Sequence, residues 1–366
     1  MRRFFETNPV LYENSRSLKL IYMSLEIPTA ATDSRLQALT RWLATLEQPQ
    51  GLRLDSLRPA SADASFRRYF RVDAADTSHI VMDAPPPQED VRPFVRVAQL
   101  FGACGVTVPE VLAQDEQQGF LLLTDLGSTT YLHCLTADNA HRLYVDAIDA
   151  LVQIQSHSQP GVLPEYDRAL LLRELELFPE WYLTRHLGQT LANAQTDTLA
   201  RVFEALLANN LAQAQVYVHR DYHSRNLMLL QSGNPGIIDF QDAVYGPITY
   251  DLVSLLRDAY IQWDEEMVLD WVVRYWEKAR RAGLPVNSDI DAFYRDFEFM
   301  GLQRHLKVLG VFARLFHRDG KDAYLKDLPL VLQYARKTSG RYRELAPLAR
   351  LLDSLEQGAP QVGYTF

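Results

Sequence analysis

Hydrophobic positions along the chain follow two different periods. From about residue 52 to residue 124, short apolar runs of strand character are separated by turns, and one segment, 91–101, has helical spacing. The predicted strands are 52–57, 68–72, 79–82, 106–113 and 120–124. After Gly127 helical spacing dominates, at about 138–157, 167–187, 196–214, 249–283, 289–317 and 328–356. The pattern predicts an α+β protein with two lobes, a small antiparallel sheet and a large, mostly helical region.

One more helix is predicted ahead of the sheet. Asp33 is a good N-cap residue, the leucines at 36, 39, 43 and 46 recur at helical spacing, and Pro49 with Gly51 closes the segment. We therefore predict an N-terminal lobe over residues 33–126 that includes this helix, and a C-terminal lobe over residues 127–366. Residues 1–32 are expected to be a leader that need not be ordered, with Met23 as an alternative start of translation.

Composition narrows the classes of partner. The 366 residues include 47% hydrophobic and 23% charged residues, as in an ordinary globular protein, and carry a net charge of -9. This charge repels nucleic acid and anionic membranes, so neither is expected as a partner. No apolar run approaches the roughly 20 residues of a membrane helix, and the leader lacks the apolar centre of a signal peptide. We expect a cytoplasmic protein without an obligate protein partner.

The candidate chemistry lies in residues 216–240, where short strand-like runs interrupt the helices. The segment H-R-D-Y-H-S-R-N at 219–226 and the segment I-I-D-F-Q at 237–241 match the catalytic-loop and metal-binding motifs of kinases. Asp221 would orient the acceptor hydroxyl and accept its proton, and His219 would support the loop. Asn226 and Asp239 offer the hard oxygen donors that Mg²⁺ prefers. The predicted cofactor is Mg²⁺ with ATP as the phosphoryl donor.

Three further residues in or after this segment are open to more than one interpretation. His223 and Arg225 lie inside the same loop and could contact phosphate or substrate, but a role in packing the loop is at least as reasonable. Asp251 stands at a predicted helix start, where a carboxylate accepts backbone N–H groups or holds a loop in place. We interpret Asp251 as structural support.

These segments resemble the aminoglycoside phosphotransferase and choline kinase-like superfamily, whose members share a two-lobed, protein-kinase-like fold. Residues 34–340 are more closely similar to bacterial sugar kinases of peptidoglycan recycling, which phosphorylate the anomeric hydroxyl of N-acetylmuramate and N-acetylglucosamine. The segments that carry this closer resemblance are 61–72, 80–86, 176–183 and 301–310. The resemblance implies an enzyme that binds ATP in the N-terminal lobe, binds an amino sugar in the C-terminal lobe, and forms a sugar 1-phosphate.

The resemblance also implies where ATP is held. The turn over the phosphates and the basic residues after it would be Ser61, Ala62, Asp63, Ser65, Arg67 and Arg68, and the hinge that holds adenine would be Thr124, Asp125 and Leu126. The strand at 80–83 departs from the kinase pattern, because it lacks the lysine that usually contacts the α and β phosphates. Arg67, Arg68 or Arg71 could supply that charge, since arginine binds phosphate bidentately.

Substrate residues are predicted from their chemistry. A sugar needs polar partners and an apolar surface, and the candidates are Glu174, Glu180, Trp181, His223 and Arg304. The residues between 174 and 183 could equally form the packed side of a helix. Arg304 would suit the lactyl carboxylate of N-acetylmuramate, or it could pair with an acid such as Glu298.

Two alternatives remain open at this stage. One is a kinase for another small-molecule hydroxyl, such as that of an aminoglycoside, choline or another sugar. The other is a kinase-like module that binds without turnover, which the missing lysine suggests. Protein kinase activity is disfavoured because no lysine follows two residues after Asp221. The presence of Asp221, Asn226 and Asp239 together favours an active enzyme.

Overall fold

The N-terminal part of the chain forms an antiparallel sheet. The computed structural model describes residues 33–62 and 66–357, so the predicted leader lies outside the described residues. The strands are β1 (Arg53–Ala62), β2 (Arg68–Asp73), β3 (Ser78–Asp83), β4 (Val111–Asp115) and β5 (Phe120–Thr124), in the order β1-β2-β3-β5-β4. The predicted strand at 106–113 begins later, at Val111, because residues 106–110 lie ahead of the ladder with β5.

Helix α1 (Ser34–Gln50) covers one face of this sheet. The side chain of Asp33 accepts hydrogen bonds from the backbone N–H groups of Arg35 at 3.0 Å and Leu36 at 2.9 Å, and Gly51 ends the helix at a φ of 62°. That left-handed conformation is one that glycine adopts without a steric penalty. The buried leucines of the helix pack against strand residues such as Phe70 and Val81. The prediction of a capped helix ahead of the sheet is confirmed.

The rest of the chain is mostly helical, which confirms the predicted fold class. The further helices are α2 (Arg92–Ala103), α3 (Tyr131–Cys134), α4 (Ala137–Ser156), α5 (Arg168–Leu177), α6 (Asn193–Leu211), α7 (Tyr250–Leu256), α8 (Glu265–Arg281), α9 (Ile290–Asp319), α10 (Leu328–Arg341) and α11 (Ala346–Gln357). A π-helical segment (Phe178–His186) follows α5, and a short 3₁₀ helix (Asp322–Asp327) follows α9. In the described part of the chain, no helix is both long and apolar enough to cross a membrane.

Two of the predicted long helices are wrong, because each is divided in two. The segment 249–283 leaves the helical path at Arg257 and resumes at Glu265, where Asp264 and two acidic residues make a good helix start. The segment 328–356 is interrupted between α10 and α11. Pro347 fits only the first turn of a helix, so a new helix begins at Ala346.

Short strands hold the segment that carries the candidate chemistry. They are β6 (Gln215–Val218), β7 (Leu227–Met228), β8 (Gly236–Ile237) and β9 (Val244–Pro247), paired as β6 with β9 and β7 with β8. Phe240 joins this region to α2, since its ring lies 4.8 Å from that of Phe94 and 5.9 Å from that of Phe101. The main hydrophobic core is therefore continuous from α2 and the inner face of the sheet into the helical lobe.

Helix α9 contains two glycines with very different surroundings. A Cβ atom at Gly310 would overlap the backbone carbonyl of Leu177, whereas one at Gly301 would meet Val253 Cγ1 at an ordinary 3.7 Å. We expect Gly310→Ala to lower the free energy of unfolding by about 1–3 kcal/mol. Gly301→Ala, the matched control, should leave it unchanged or raise it by up to about 1 kcal/mol, because alanine favours helix. Urea denaturation measures both, and equal effects would contradict the close packing of α9 against α5.

Candidate active site

Two buried carboxylates hold the loop of residues 219–226. Asp251, in the first turn of α7, accepts hydrogen bonds from the backbone N–H groups of His219 at 2.6 Å and Arg220 at 3.0 Å. Asp258, just after the end of α7, accepts from the backbone N–H of Ser224 at 3.0 Å and from its hydroxyl. Both halves of the loop are therefore fixed from the same short helix and the turn after it.

His219 connects this loop to the segment that carries Asp239. Its Nε2 lies 3.0 Å from the backbone oxygen of Ile238, and its Nδ1 accepts from the backbone N–H of Asp221 at 3.2 Å. Because a carbonyl oxygen can only accept, Nε2 carries the proton and Nδ1 does not. Burial lowers the pKa of His219, which agrees with a neutral ring. The geometry fits a role in supporting the loop.

Asp221 is ionised and partly open to solvent. Desolvation raises the pKa of its carboxyl, but neighbouring positive charges, Lys307 first among them, outweigh this effect and bring the pKa to about 2. His223 lies beside it, with Nε2 4.0 Å from Oδ1 of Asp221, and burial lowers the pKa of that ring. A carboxylate that stays charged at neutral pH can accept a hydrogen bond from a hydroxyl group.

Asn226 and Asp239 lie side by side. The amide nitrogen of Asn226 donates to the backbone oxygen of Asp221 at 3.0 Å and to Oδ2 of Asp239 at 3.3 Å, so the amide oxygen is the atom left for a cation. Asp239 has a φ of 65° and Arg220 a φ of 77°, a region that residues other than glycine rarely adopt. Such strained backbone often marks a functional site. The amide and carboxylate oxygens suit a hard divalent cation.

A cleft of about 570 Å³ lies between the sheet and the loop. Thr124, Asp125 and Leu126, the predicted hinge, line it together with Asn226 and Asp239. Apolar side chains from both lobes complete the walls, among them Ile80, Leu123, Met228 and Ile238. The size and the apolar lining suit a small planar ligand with polar groups along its edge.

The three arginines that follow the predicted phosphate turn occupy different places. Arg67 lies beside Asp239, which lines the cleft, with Nη2 3.8 Å from Oδ1 of Asp239 and Nε 3.8 Å from Oε2 of Glu89. Arg71 is held by Asp125 through two hydrogen bonds of 2.5 and 3.0 Å. This ion pair engages the Asp125 side chain, so the hinge would hold a ligand mainly by its backbone.

Arg68 lies on the other face of the sheet. It alternates with Tyr69 along β2 and pairs with the buried carboxylate of Asp83 at 2.6 Å and with Asp33, next to α1. Its position fits a role in fastening α1 to the sheet. Ser61 and Ala62 end β1 opposite Tyr69 and Arg68. Asp63 and Ser65, also predicted to bind phosphate, lie outside the described residues.

The predicted substrate residues differ in burial and in their partners. Glu174 is buried and forms ion pairs with Arg220 at 2.5 Å and with Lys307 on α9 at 3.0 Å. It therefore lies next to the catalytic loop. Glu180 is exposed and Trp181 nearly buried, and both interact with Arg185, at 3.7 and 4.1 Å respectively. Arg304 is buried on α9, one turn before Lys307.

Sequence reasoning missed two anchoring residues. Asp258 went unnoticed because it lies in a segment whose hydrophobic spacing looks like one continuous helix. In the sequence, Lys307 is a basic residue in an otherwise apolar helical segment, and nothing in its surroundings along the chain indicates its pairing with Glu174. The signal for Asp258 was the helix start at Asp264, which requires a break before it.

Asp251 provides a test that depends on pH. Burial raises the pKa of its carboxyl from 3.8 to about 6, so the stability contributed by the protonated form is complete below about pH 3.8 and is lost as the pH rises through about 6. Asp251→Asn removes this titration. Between about pH 4 and 7, the free energy of unfolding of the wild type should fall relative to the variant by roughly 2–3 kcal/mol. Urea denaturation of both proteins across this pH range measures the difference in their free energies of unfolding. A difference that stays constant, or that grows in favour of the wild type as the pH rises, would contradict the raised pKa of Asp251.

Comparison with known proteins places this site in a family. Residues 56–284, more than half of the chain, match the model of the Phosphotransferase enzyme family. An N-acetylmuramate/N-acetylglucosamine kinase of Pseudomonas putida is 51% identical over 338 residues, which cover 89% of this chain and 98% of the relative. The kinase of the same name from Neisseria meningitidis serogroup B is 52% identical, over 90% of this chain and 98% of its own.

A solved structure supports the fold independently. The ADP-bound crystal structure of the aminoglycoside phosphotransferase APH(2″)-Ib superposes with a TM-score of 0.52, covering 81% of this chain and 98% of that one, at 17% sequence identity. At this level of identity the likeness concerns the fold alone. The family match and the two relatives go further. The chain is a member of the phosphotransferase enzyme family, with the two-lobed kinase-like fold that the sequence predicted.

Proposed function

We propose that this protein transfers the γ-phosphoryl group of ATP to the anomeric hydroxyl of N-acetylmuramate and N-acetylglucosamine. The observation that carries the proposal is the half-identity, over nearly the whole chain, to two relatives named as N-acetylmuramate/N-acetylglucosamine kinases. The arrangement of Asp221, Asn226 and Asp239 beside the cleft is consistent with it. Each residue role that follows is part of the proposal.

Asp221 acts on the acceptor. As an ionised carboxylate it accepts a hydrogen bond from the sugar hydroxyl, orients the oxygen for attack, and takes its proton as the new bond to phosphorus forms. His219 keeps the backbone of Asp221 in place through the hydrogen bond to its N–H. Asp251 and Asp258 hold the loop rigid, so little reorganisation is needed when the substrate arrives.

Asn226 and Asp239 are the residues that would hold magnesium. When bound, Mg²⁺ supplies positive charge that neutralises the phosphate oxygens as charge develops on them. The amide oxygen of Asn226 and the carboxylate of Asp239 fit such an ion by their chemistry and by their closeness, since the two side chains are 3.3 Å apart. Gln241 steadies the carboxylate by donating to its Oδ1 at 2.9 Å.

Arg67 takes the place of the missing lysine. Many kinases pair a lysine of the sheet with a glutamate that follows it in the chain, and set the lysine near the phosphates and the metal-binding aspartate. Here the guanidinium of Arg67 lies 3.8 Å from both Glu89 and Asp239. From this position it can reach the phosphates of a nucleotide whose base lies between Ile80 and Met228 in the cleft. The absent lysine is therefore no argument against turnover.

The first experiment is an acceptor panel. Purified protein is incubated with Mg-ATP and, separately, N-acetylmuramate, N-acetylglucosamine, kanamycin, choline or no acceptor, and ADP release is followed with time. The proposal requires release driven by the two N-acetyl sugars. Release only with kanamycin or choline would keep the catalytic roles and change the substrate. No release with any acceptor would contradict the proposed function.

Asp221→Asn and Asp239→Ala should separate catalysis from nucleotide binding. Asp221→Asn removes the hydroxyl's partner, so kcat should fall by about 100- to 10,000-fold while ATP binding changes little. Asp239→Ala removes a cation ligand, so magnesium-dependent ATP binding should be lost along with turnover. Isothermal titration with a non-hydrolysable ATP analogue and steady-state kinetics report the two effects. Normal turnover in the first variant, or normal magnesium-dependent binding in the second, would contradict these roles.

Arg67→Gln should weaken the use of ATP. Loss of a charged hydrogen-bonding partner of the phosphates predicts a fall in kcat/KM for ATP of about 10- to 100-fold. Arg67→Lys should recover part of it, because the charge remains. Arg68→Gln is the matched comparison, since Arg68 lies on the opposite face of the sheet and its loss should leave the KM for ATP unchanged. The same fall in both glutamine variants would contradict a specific role for Arg67.

A further inference from the structure

Arg304 is a buried cation whose guanidinium is only partly satisfied by the described residues. Only 3% of the residue is accessible, and its Nε and Nη1 atoms are buried with no hydrogen-bond partner among residues 33–62 and 66–357. Leaving buried charged donors unsatisfied is costly, and native proteins usually avoid it. Arg257, another buried arginine, shows the usual solution, because it lies 3.2 Å from the carboxylates of both Glu265 and Glu298. We therefore expect the guanidinium of Arg304 to bind a partner outside the described residues.

Its surroundings place Arg304 beside the catalytic loop. Lys307 lies one turn further along the same side of α9 and pairs at 3.0 Å with Glu174, which in turn pairs with Arg220. Arg220 directly precedes Asp221 in the chain. The positive charge of Arg304 is also among the causes that lower the pKa of Asp221 and of His223, as expected for close neighbours.

The carboxylates around Asp221 already have partners other than Arg304. Glu174 pairs with two other cations, and Asp251 and Asp258 accept hydrogen bonds from backbone and hydroxyl groups of the loop. Asp221 itself is needed for the acceptor hydroxyl. Among the described residues, no carboxylate lies within ion-pair distance of the Arg304 guanidinium. An acceptor that carries its own negative charge would supply the missing partner.

The two sugars in the relatives' names differ in this respect. N-acetylmuramate is N-acetylglucosamine with a lactyl ether, whose carboxylate is ionised at neutral pH, whereas N-acetylglucosamine is uncharged. We propose that Arg304 binds the lactyl carboxylate of N-acetylmuramate and thereby favours the acidic sugar over the neutral one. The planar fork of a guanidinium matches a carboxylate bidentately. This inference rests on the proposed function and assigns one residue to substrate selection.

Arg225 is a further cation, within the catalytic loop itself, and its contacts point to a different role. Its guanidinium lies 3.7 Å from the centre of the Tyr260 ring and 5.5 Å from that of Tyr324, so both aromatic rings contact it. It also lines the cleft next to Asn226. These cation–π contacts already stabilise its charge. Arg225 is therefore the comparison residue for Arg304.

The test varies the residue and the charge of the ligand together. The values of kcat/KM are measured for N-acetylmuramate, its methyl ester and N-acetylglucosamine, with the wild type, Arg304→Gln and Arg225→Gln. In Arg304→Gln we expect a fall of about 10- to 100-fold for the acid, mainly in KM, and changes within about threefold for the ester and the neutral sugar. The wild type should prefer the acid over its ester, and Arg304→Gln should lose that preference. Arg225→Gln should keep it.

Other results of these measurements would overturn the role of Arg304 or the proposed function. An equal fall for all three sugars in Arg304→Gln would mean that Arg304 acts through Asp221 or the fold, and would overturn the inference. Loss of the preference in Arg225→Gln alone would transfer the role to Arg225. Wild-type enzyme that phosphorylates none of the sugars would overturn the proposed function itself. If Arg304→Gln does not fold, Arg304→Lys is measured instead, since lysine keeps the charge but lacks the planar guanidinium. The fall in kcat/KM of Arg304→Lys must again be confined to N-acetylmuramate.

Discussion

The fixing of one eight-residue loop by two buried carboxylates is the constraint on which the rest of the site depends. Asp251 and Asp258 accept four hydrogen bonds from residues 219–224, and both belong to α7 or the turn directly after it. Buried carboxylates are stable only where such donors surround them. Helix α7 must therefore end where it does, and the loop is positioned by the core of the helical lobe.

The electrostatics of the site follow from this placement. The loop brings Asp221 close to a set of cations whose charge keeps it ionised although desolvation opposes this. Glu174 pairs with two of those cations, Arg220 and Lys307. On the nucleotide side, Arg67 stands between Glu89 and Asp239. Charged side chains are thus already in place on the nucleotide side and on the acceptor side of the site. Phosphoryl transfer needs such preorganised charges.

How much of this the sequence could predict depended on distance along the chain. Local signals worked, as at α1, where Asp33 and Gly51 set the ends, and in the catalytic loop, whose spacing from Asp221 to Asn226 is itself the signal. Contacts between distant residues were not accessible. The sequence could not decide among Arg67, Arg68 and Arg71, because the choice depends on which face of β2 lies against α1 and on the pairing of Arg71 with Asp125. The pairing of Glu174 with Lys307 joins residues in different helices, and no local pattern encodes it. The roles given to individual site residues stay predictions until variants are measured.

The central claim is that the protein phosphorylates the anomeric hydroxyl of an N-acetyl sugar. The most direct measurement uses N-acetylglucosamine labelled with ¹³C at C1, incubated with the protein and Mg-ATP, with the product examined by ¹³C and ³¹P NMR. The account predicts that the labelled C1 signal is split by coupling to phosphorus, since the phosphate is joined to it through one oxygen. A phosphorylated sugar whose C1 shows no such coupling would place the phosphate on another hydroxyl and contradict the account.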